Sequence, residues 1–275
     1  MKVDVHPFQG DVEKYIAYLQ TTEGRLRLDL AWMNLRNFLP RAVGTSFLSE
    51  TSQALDLGGG TGATALCLAE LGFHVTLMDK AEAMLSLAAE AARGAGVSDR
   101  LTFQQADAAD LPSLFPNSFF DVVVCHNMLE YAEDPAAVLR GIRQVSKCSP
   151  GAVVSIVVRN RAGEVLKAGI KAGDLALAEK NLTAEWACES LYGGHVRLFR
   201  PAELRDQLHQ ASLEIIAERG VRVMADYLPR ELSQDAAAYE RLLAFEQSLG
   251  EQPDLAAIAR YTQVLARAAG PDRQG

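Results

Sequence analysis

The sequence predicts an α/β fold: a mixed seven-stranded sheet with helices on both faces, N-terminal helices before it and a helical insertion or lid after strand five. Three observations predict it. Short apolar runs alternate with alanine- and leucine-rich stretches from Ala54 to Val158, the order that builds a parallel sheet covered on both sides. The first run ends in Gly58-Gly59-Gly60-Thr61-Gly62, a strand-to-helix turn. Two late strand candidates, Leu213 to Ala217 and Val221 to Met224, joined through Arg219-Gly220, complete a mixed sheet.

Each element has its own signal. Residues 11–40 read as helices, because Leu26, Leu30, Met33 and Leu35 recur near helical spacing, with Trp32 beside them. Thr21, Thr22 and Gly24 interrupt the stretch and cap its second helix. Pro40 to Ser52 is a polar linker. The strands of the core are Ala54 to Leu57, Phe73 to Met78, Leu101 to Gln104, Phe120 to Cys125 and the β-branched Ala152 to Val158. Helices fall between them at Ala63 to Leu71, Ala81 to Ala92 and Pro135 to Val145. Arg161 to Lys180 is helical, and Asn181 to Arg200 is mixed, with a turn at Tyr192-Gly193-Gly194-His195. Pro201 starts a helix that runs to Ala211. Ala236 to Leu249 and Leu255 to Ala268 are expected to be helical, with a disordered tail from Gly270.

With 275 residues, 49% of them hydrophobic, the chain can bury one substantial core. The expected organisation is an N-terminal cap (1–50), a core (51–160), an insertion or lid (161–200) and a C-terminal part of the sheet (201–275). A net charge of -8 repels a phosphate backbone over most of the surface, so a nucleic-acid partner needs a local basic patch. Cys67, Cys125, Cys148 and Cys188 form no CxxC pair, so no metal site is expected. Met1 to Gln9 lacks the apolar stretch of a secretory leader, and no run of about 18 apolar residues offers a membrane span. A cytoplasmic protein, monomer or homodimer, is the expectation.

The strongest motif is Leu55-Asp56-Leu57-Gly58-Gly59-Gly60-Thr61-Gly62. Glycines there let the backbone bend and approach a ligand without a Cβ in the way. No Lys-Ser/Thr follows, so this is not a P-loop. Asp79 closes the next strand about 20 residues on, where a carboxylate accepts hydrogen bonds from ribose hydroxyls. It is equally placed to cap the helix at Ala81. Asp107 follows the third strand and is a candidate for the adenine edge or a solvated loop acid. His126 follows the fourth, at the carboxyl edge of the sheet where open α/β folds bind ligands. It is a candidate general base, and equally a cofactor contact or packing residue.

Asp56 to Gly62, Asp79, Asp107 and Phe120-Asp121-Val122-Val123-Val124 followed by His126 resemble the class I S-adenosylmethionine (SAM)-dependent methyltransferases over about residues 50–160. The resemblance implies a Rossmann-like core with SAM as cofactor. It places the glycine loop under the methionine part, Asp79 on ribose and Asp107 at adenine. A narrower resemblance comes from Thr21-Thr22-Glu23-Gly24-Arg25-Leu26-Arg27, from Gly220 to Leu228 and from Arg260-Tyr261. This set is similar to the bacterial tRNA 5-carboxymethoxyuridine methyltransferases, which esterify a carboxylate on the wobble uridine. The implied cofactor contacts are Arg27 (to the SAM carboxylate), Asp56, Gly58, Gly59, Gly60, Gly62, Asp79, Lys80, Met84, Asp107, Ala108 and His126. The implied acceptor contacts are Arg222, Tyr227 and Tyr192, with Arg222 and His126 as candidate catalytic residues.

A carboxylate is already a nucleophile at neutral pH, so the chemistry asks for alignment more than for a base. An arginine fork suits that task. Basic residues of the insertion, Arg159 to Arg200, are interleaved with Asp174, Glu179, Glu185 and Glu189, which dilutes any RNA-binding patch. Three readings follow: methyl transfer to a tRNA carboxylate, transfer to a small anionic metabolite, or SAM binding without transfer.

Overall fold

The computed structural model describes residues 12–39, 52–189, 194–229 and 235–270. The N-terminal stretch Met1 to Gln9, the linker from Pro40 to Thr51, Tyr192 with Gly193, and the tail after Gly270 lie outside the described residues. The chain begins with α1 (Val12–Leu19) and α2 (Thr22–Arg36). Alternation follows: β1 (Gln53–Leu57), α3 (Ala63–Glu70), β2 (His74–Asp79), α4 (Glu82–Ala95), β3 (Leu101–Gln105), a short α5 (Leu111–Leu114), β4 (Val122–His126), α6 (Pro135–Val145) and β5 (Val153–Arg159). Next come α7 (Arg161–Leu166), α8 (Leu175–Asn181), β6 (Trp186–Cys188), β7 (His195–Arg197), α9 (Pro201–Gln210), β8 (Leu213–Val221), α10 (Ala236–Gly250), α11 (Pro253–Ala256) and β9 (Tyr261–Ala268).

Seven strands form one mixed sheet in the order β3-β2-β1-β4-β5-β9-β8, as the alternating pattern predicted. β1 lies parallel between β2 and β4, with Leu55 opposite Thr76 on one side and Val123 on the other. β2 also runs parallel to β3, with Leu77 opposite Phe103. The parallel register brings the carboxyl ends of β3, β2, β1 and β4 to one edge. β6 and β7 form a separate antiparallel pair.

The chain divides into two compact units. The first holds residues 35–156, 205–217 and 264–275. Its central strand β4 is apolar and buried from Val122 to Cys125, because a strand covered on both faces has no solvent side to alternate towards, and only its last residue, His126, is polar. Around it, α6 buries Val138, Leu139, Ile142 and Val145 at helical spacing. Asp134 caps that helix by accepting from the Ala137 N–H, and Pro135 occupies its first turn.

The second unit holds residues 1–34, 157–204 and 218–263. Its core joins Leu26, Leu30 and Ala31 of α2 to Leu242 and Leu243 of α10, with Val157, Val221, Tyr239 and Tyr261 between them. Two buried amides are satisfied inside it. Asn34 donates to Gln263 Oε1 at 2.9 Å, and Gln263 donates to the Ala31 carbonyl at 2.9 Å.

The end of the chain differs from expectation. Leu213 to Met224 is not a hairpin: β8 runs unbroken through Gly220 to Val221, and Arg222 leaves it in a turn. The seventh strand is β9, inside the stretch expected to be helical. Leucine, alanine and arginine favour helix in isolation. Here seven of the eight strand residues are buried, so no period-two pattern marks them. The expected helix from Arg161 to Lys180 is also broken, into α7, a π-helical turn at Lys167–Lys171, and α8.

Candidate functional site

In the first unit, the glycine loop joins β1 to α3 with left-handed backbone at Gly58 (φ 68°), Gly60 (φ 54°) and Gly62 (φ 81°). Side chains resist that conformation. Asp56, 2% exposed, accepts from the Ala65 N–H at 3.0 Å and so ties the end of β1 to α3. Burial pushes its carboxyl up to about 7, with Asp79 adding to the rise and the Ala65 N–H opposing it. Gly59 passes directly over that carboxylate: a Cβ there would sit 2.7 Å from Asp56 Oδ2.

Asp79 joins two loops. Its Oδ2 accepts from the Gly60 N–H at 2.9 Å and its Oδ1 from the Ala81 N–H at 2.9 Å. Asp79 thus braces the turn leading into α4, whose N-cap is Ala81, and is half-buried beside the glycine loop. A carboxylate has about four lone-pair positions, so capacity remains for hydroxyl donors. Burial raises its pKa, while the N–H groups of Ala81, Gly60 and Lys80 pull the other way.

Asp107 Oδ2 pairs with Lys80 Nζ at 2.8 Å, and its Oδ1 accepts from the Ala109 N–H at 3.0 Å, capping the turn that holds Ala108. Both partners of the ion pair are half-exposed, so it contributes only about 0–1 kcal/mol and opens readily. Met84 is 2% exposed on α4. His126 Nε2 lies 2.7 Å from Ser155 Oγ, a fully buried hydroxyl on β5. Asn127, next along, has φ 54° and donates to Glu130 Oε1 at 2.7 Å.

The remaining described candidates, Arg27, Arg222 and Tyr227, fall in the second unit, where Arg27, Arg159, Arg222 and Arg260 are all buried. Arg222 Nε donates to Asp226 Oδ1 at 2.9 Å, its Nη2 also pairs with Asp226, and Nη1 donates to the Tyr18 hydroxyl at 3.0 Å. Arg260 pairs with Glu164 and lies 3.7 Å from Asp226 Oδ2. Arg159 donates to Glu164 Oε1 at 3.0 Å and pairs with Glu189. Arg27 donates to the Tyr15 hydroxyl at 3.2 Å and lies 5.1 Å from the Tyr18 ring centroid. Among the described residues it has no carboxylate partner, and its buried Nε has no hydrogen-bond partner.

Tyr261 sits among these charges, with the guanidiniums of Arg159, Arg222 and Arg260 at 5.9, 5.7 and 5.7 Å from its ring centroid. Burial alone would raise its hydroxyl pKa, yet the surrounding arginines hold it below the usual tyrosine value. Tyr227 is half-buried, and burial with Asp226 pushes its hydroxyl up to about 12. Asn160, fully buried, donates to the carbonyls of Ala257 and Ala259 at 2.9 Å each and fixes the backbone leading to Arg260.

Residues 28–218 match the family described as Methyltransferase domain. The tRNA 5-carboxymethoxyuridine methyltransferase of Escherichia coli (strain K12) is 33% identical over 247 residues, covering 90% of each chain. The chain belongs to the SAM-dependent methyltransferases. The ubiquinone biosynthesis O-methyltransferase of Albidiferax ferrireducens is 32% identical over 170 residues, 62% of this chain and 63% of its own. A SAM-dependent methyltransferase structure from Thermotoga maritima superposes with TM-score 0.60 at 17% identity, over 96% of this chain and 98% of the other, a likeness of fold.

The sequence motifs of this methyltransferase singled out the glycine loop, Asp79, Asp107, Arg27 and Arg222. They gave no sign of Ser155 behind His126, of the Tyr18 hydroxyl on Arg222, or of Glu164 between two arginines. These partners are 29, 204, 5 and 96 residues away along the chain. One readable signal existed: an acid or amide on the apolar stripe of a helix, such as Asn34 on α2 or Glu246 on α10.

Proposed function

We propose that this methyltransferase esterifies a carboxylate on a tRNA nucleoside, 5-carboxymethoxyuridine at the wobble position, as a cytoplasmic enzyme. The observation that carries the reading is an excess of buried positive charge: among the described residues, Arg27, Arg159, Arg222 and Arg260 are buried with three carboxylates, Glu164, Glu189 and Asp226, and Arg27 pairs with none of them. Buried cations without counter-ions are costly, so such a site takes an anion. The similarity to the E. coli enzyme over 90% of each chain supports the same acceptor.

SAM fits the first unit by the chemistry of its donors. Asp79 retains acceptor capacity for ribose hydroxyls, the glycine loop brings bare backbone to the sheet edge, and Asp107 with the Ala108 amide offers polar contacts for adenine. By resemblance, Arg27 is assigned to the carboxylate of SAM, an anion suited to a guanidinium that pairs with no carboxylate among the described residues. When bound, SAM supplies a sulfonium-activated methyl that a carboxylate oxygen takes with no proton to move. The chain's task is then to hold and orient the acceptor, which can lower the barrier by about 7 kcal/mol or more. Arg222 is assigned to that hold, with Tyr227 beside it and Tyr192, outside the described residues, as a further acceptor contact. His126, tied to Ser155, is assigned to the cofactor edge and is not required as a base.

The net charge of -8 favours a second reading, a small anionic metabolite as acceptor. One experiment separates them. The protein is incubated with methyl-labelled SAM, tRNA from cells lacking the wobble ester, and a metabolite extract. Label in the tRNA, released by mild alkali as methanol, is the expected result. Label confined to the small-molecule fraction would overturn the tRNA assignment.

A further inference from the structure

The turn that carries Arg222 hangs from one buried carboxylate. Arg222 has φ 60°, a left-handed backbone that a non-glycine residue keeps only where its surroundings fix it. The next three residues point their N–H groups at Glu246 of α10. Val223 donates to Oε2 at 2.6 Å, and Met224 and Ala225 donate to Oε1 at 2.8 and 2.5 Å. Glu246 is 0% exposed, and among the described residues no lysine or arginine pairs with it. Its charge is held by successive backbone amides, a concave anion nest formed here with the protein's own side chain.

Packing does not call for a carboxylate at this position. Leu242, Leu243 and Leu249 share the buried stripe of α10, and an apolar residue would fill it without desolvating a charge. The helix packs closely on the strand beside it. Gly250, one turn on, passes so near β8 that a Cβ would lie 2.2 Å from the Gly220 carbonyl oxygen, which as backbone cannot move aside. The same amide cluster leads into the turn holding Asp226, the partner of both Arg222 and Arg260.

We infer that Glu246 is a positioning residue for acceptor recognition: it sets the backbone of residues 223–225 and thereby the direction of the Arg222 guanidinium. This rests on Arg222 being the acceptor clamp. Glu246→Gln replaces one acceptor oxygen with a donor that opposes an N–H, so the turn loses its set while the volume stays the same.

The test measures the Kd of tRNA bearing 5-carboxymethoxyuridine, with unmodified tRNA as reference, by fluorescence anisotropy, and the Kd of S-adenosylhomocysteine by calorimetry. Glu246→Gln is expected to weaken the modified tRNA about tenfold or more relative to the reference, leaving S-adenosylhomocysteine within about twofold. Arg222→Ala should do the same, and the double variant should lose no more than Arg222→Ala alone, because Glu246 acts through Arg222. Glu246→Asp, which keeps the charge on a shorter arm, gives the same reading if Glu246→Gln does not fold. Unchanged discrimination in the folded Glu246 variants, or losses that add in the double variant, would overturn the inference and leave the clamp standing. Unchanged discrimination in Arg222→Ala would overturn both.

Discussion

Asp79→Ala is the most direct perturbation of the cofactor edge, and its size follows from the contacts. The carboxylate accepts two backbone N–H groups, at 2.9 Å each from Gly60 and Ala81. Losing them where water has access costs about 1 kcal/mol each in stability. The effect on the cofactor is separate. A ribose hydroxyl bonded to a charged acceptor contributes about 1.5–3 kcal/mol, a factor of about 10 to 150 in Kd. Loosening of the Gly60 loop adds to it. Calorimetric titration with S-adenosylhomocysteine, run beside thermal unfolding, keeps the two effects apart. The pH dependence has a definite sign. Net burial raises the Asp79 pKa, and hydroxyl donors need the ionised form. Affinity should therefore be flat near neutrality and fall on acidification, beginning above the ordinary aspartate range. A folded Asp79→Ala variant that binds with wild-type affinity would remove Asp79 from the site.

Asp56 has its carboxyl pushed up to about 7 by burial, well above the unfolded value of about 3.9, so the folded state keeps its proton longer. Its contribution to stability declines as pH rises from about 4 to 7, by on the order of 4 kcal/mol. Asp56→Asn should flatten that decline in denaturant unfolding measured at pH 5 and pH 8; an equal slope in both proteins would reject burial as its origin. Gly58→Ala meets both a φ of 68° and the Met128 Cγ at 2.3 Å, and should lower stability by about 1–3 kcal/mol in thermal unfolding. Gly94→Ala, on α4 with nothing within 4 Å of the added Cβ, should instead raise it by up to about 1 kcal/mol; a loss there would mean that helix propensity is not what governs the site.

What was legible in the sequence was local. β1, the glycine loop and Asp79 lie within 27 residues and each carries a backbone or charge requirement that composition reveals. The first five strands announce themselves because apolar runs and helices alternate in order. β9 does not, because burial on both faces erases its period and its residue types favour helix. The arginine cluster was half legible. Arg222 and Arg27 stand out by resemblance, but the groups that determine their charge balance come from α1, α7 and the strand ends. Tertiary contact, which no spacing encodes, decides that part.

The place of β9 has a consequence for how the protein is made. Synthesis delivers β5 and β8 before the strand that separates them in the sheet. While the ribosome is still short of residue 261, the two have no shared neighbour, and the edge each offers is open to premature or intermolecular pairing. Completion of the sheet is therefore a late, long-range event that waits for translation to pass Ala268, and slow decoding just before Tyr261 would prolong exposure to chaperones and aggregation alike.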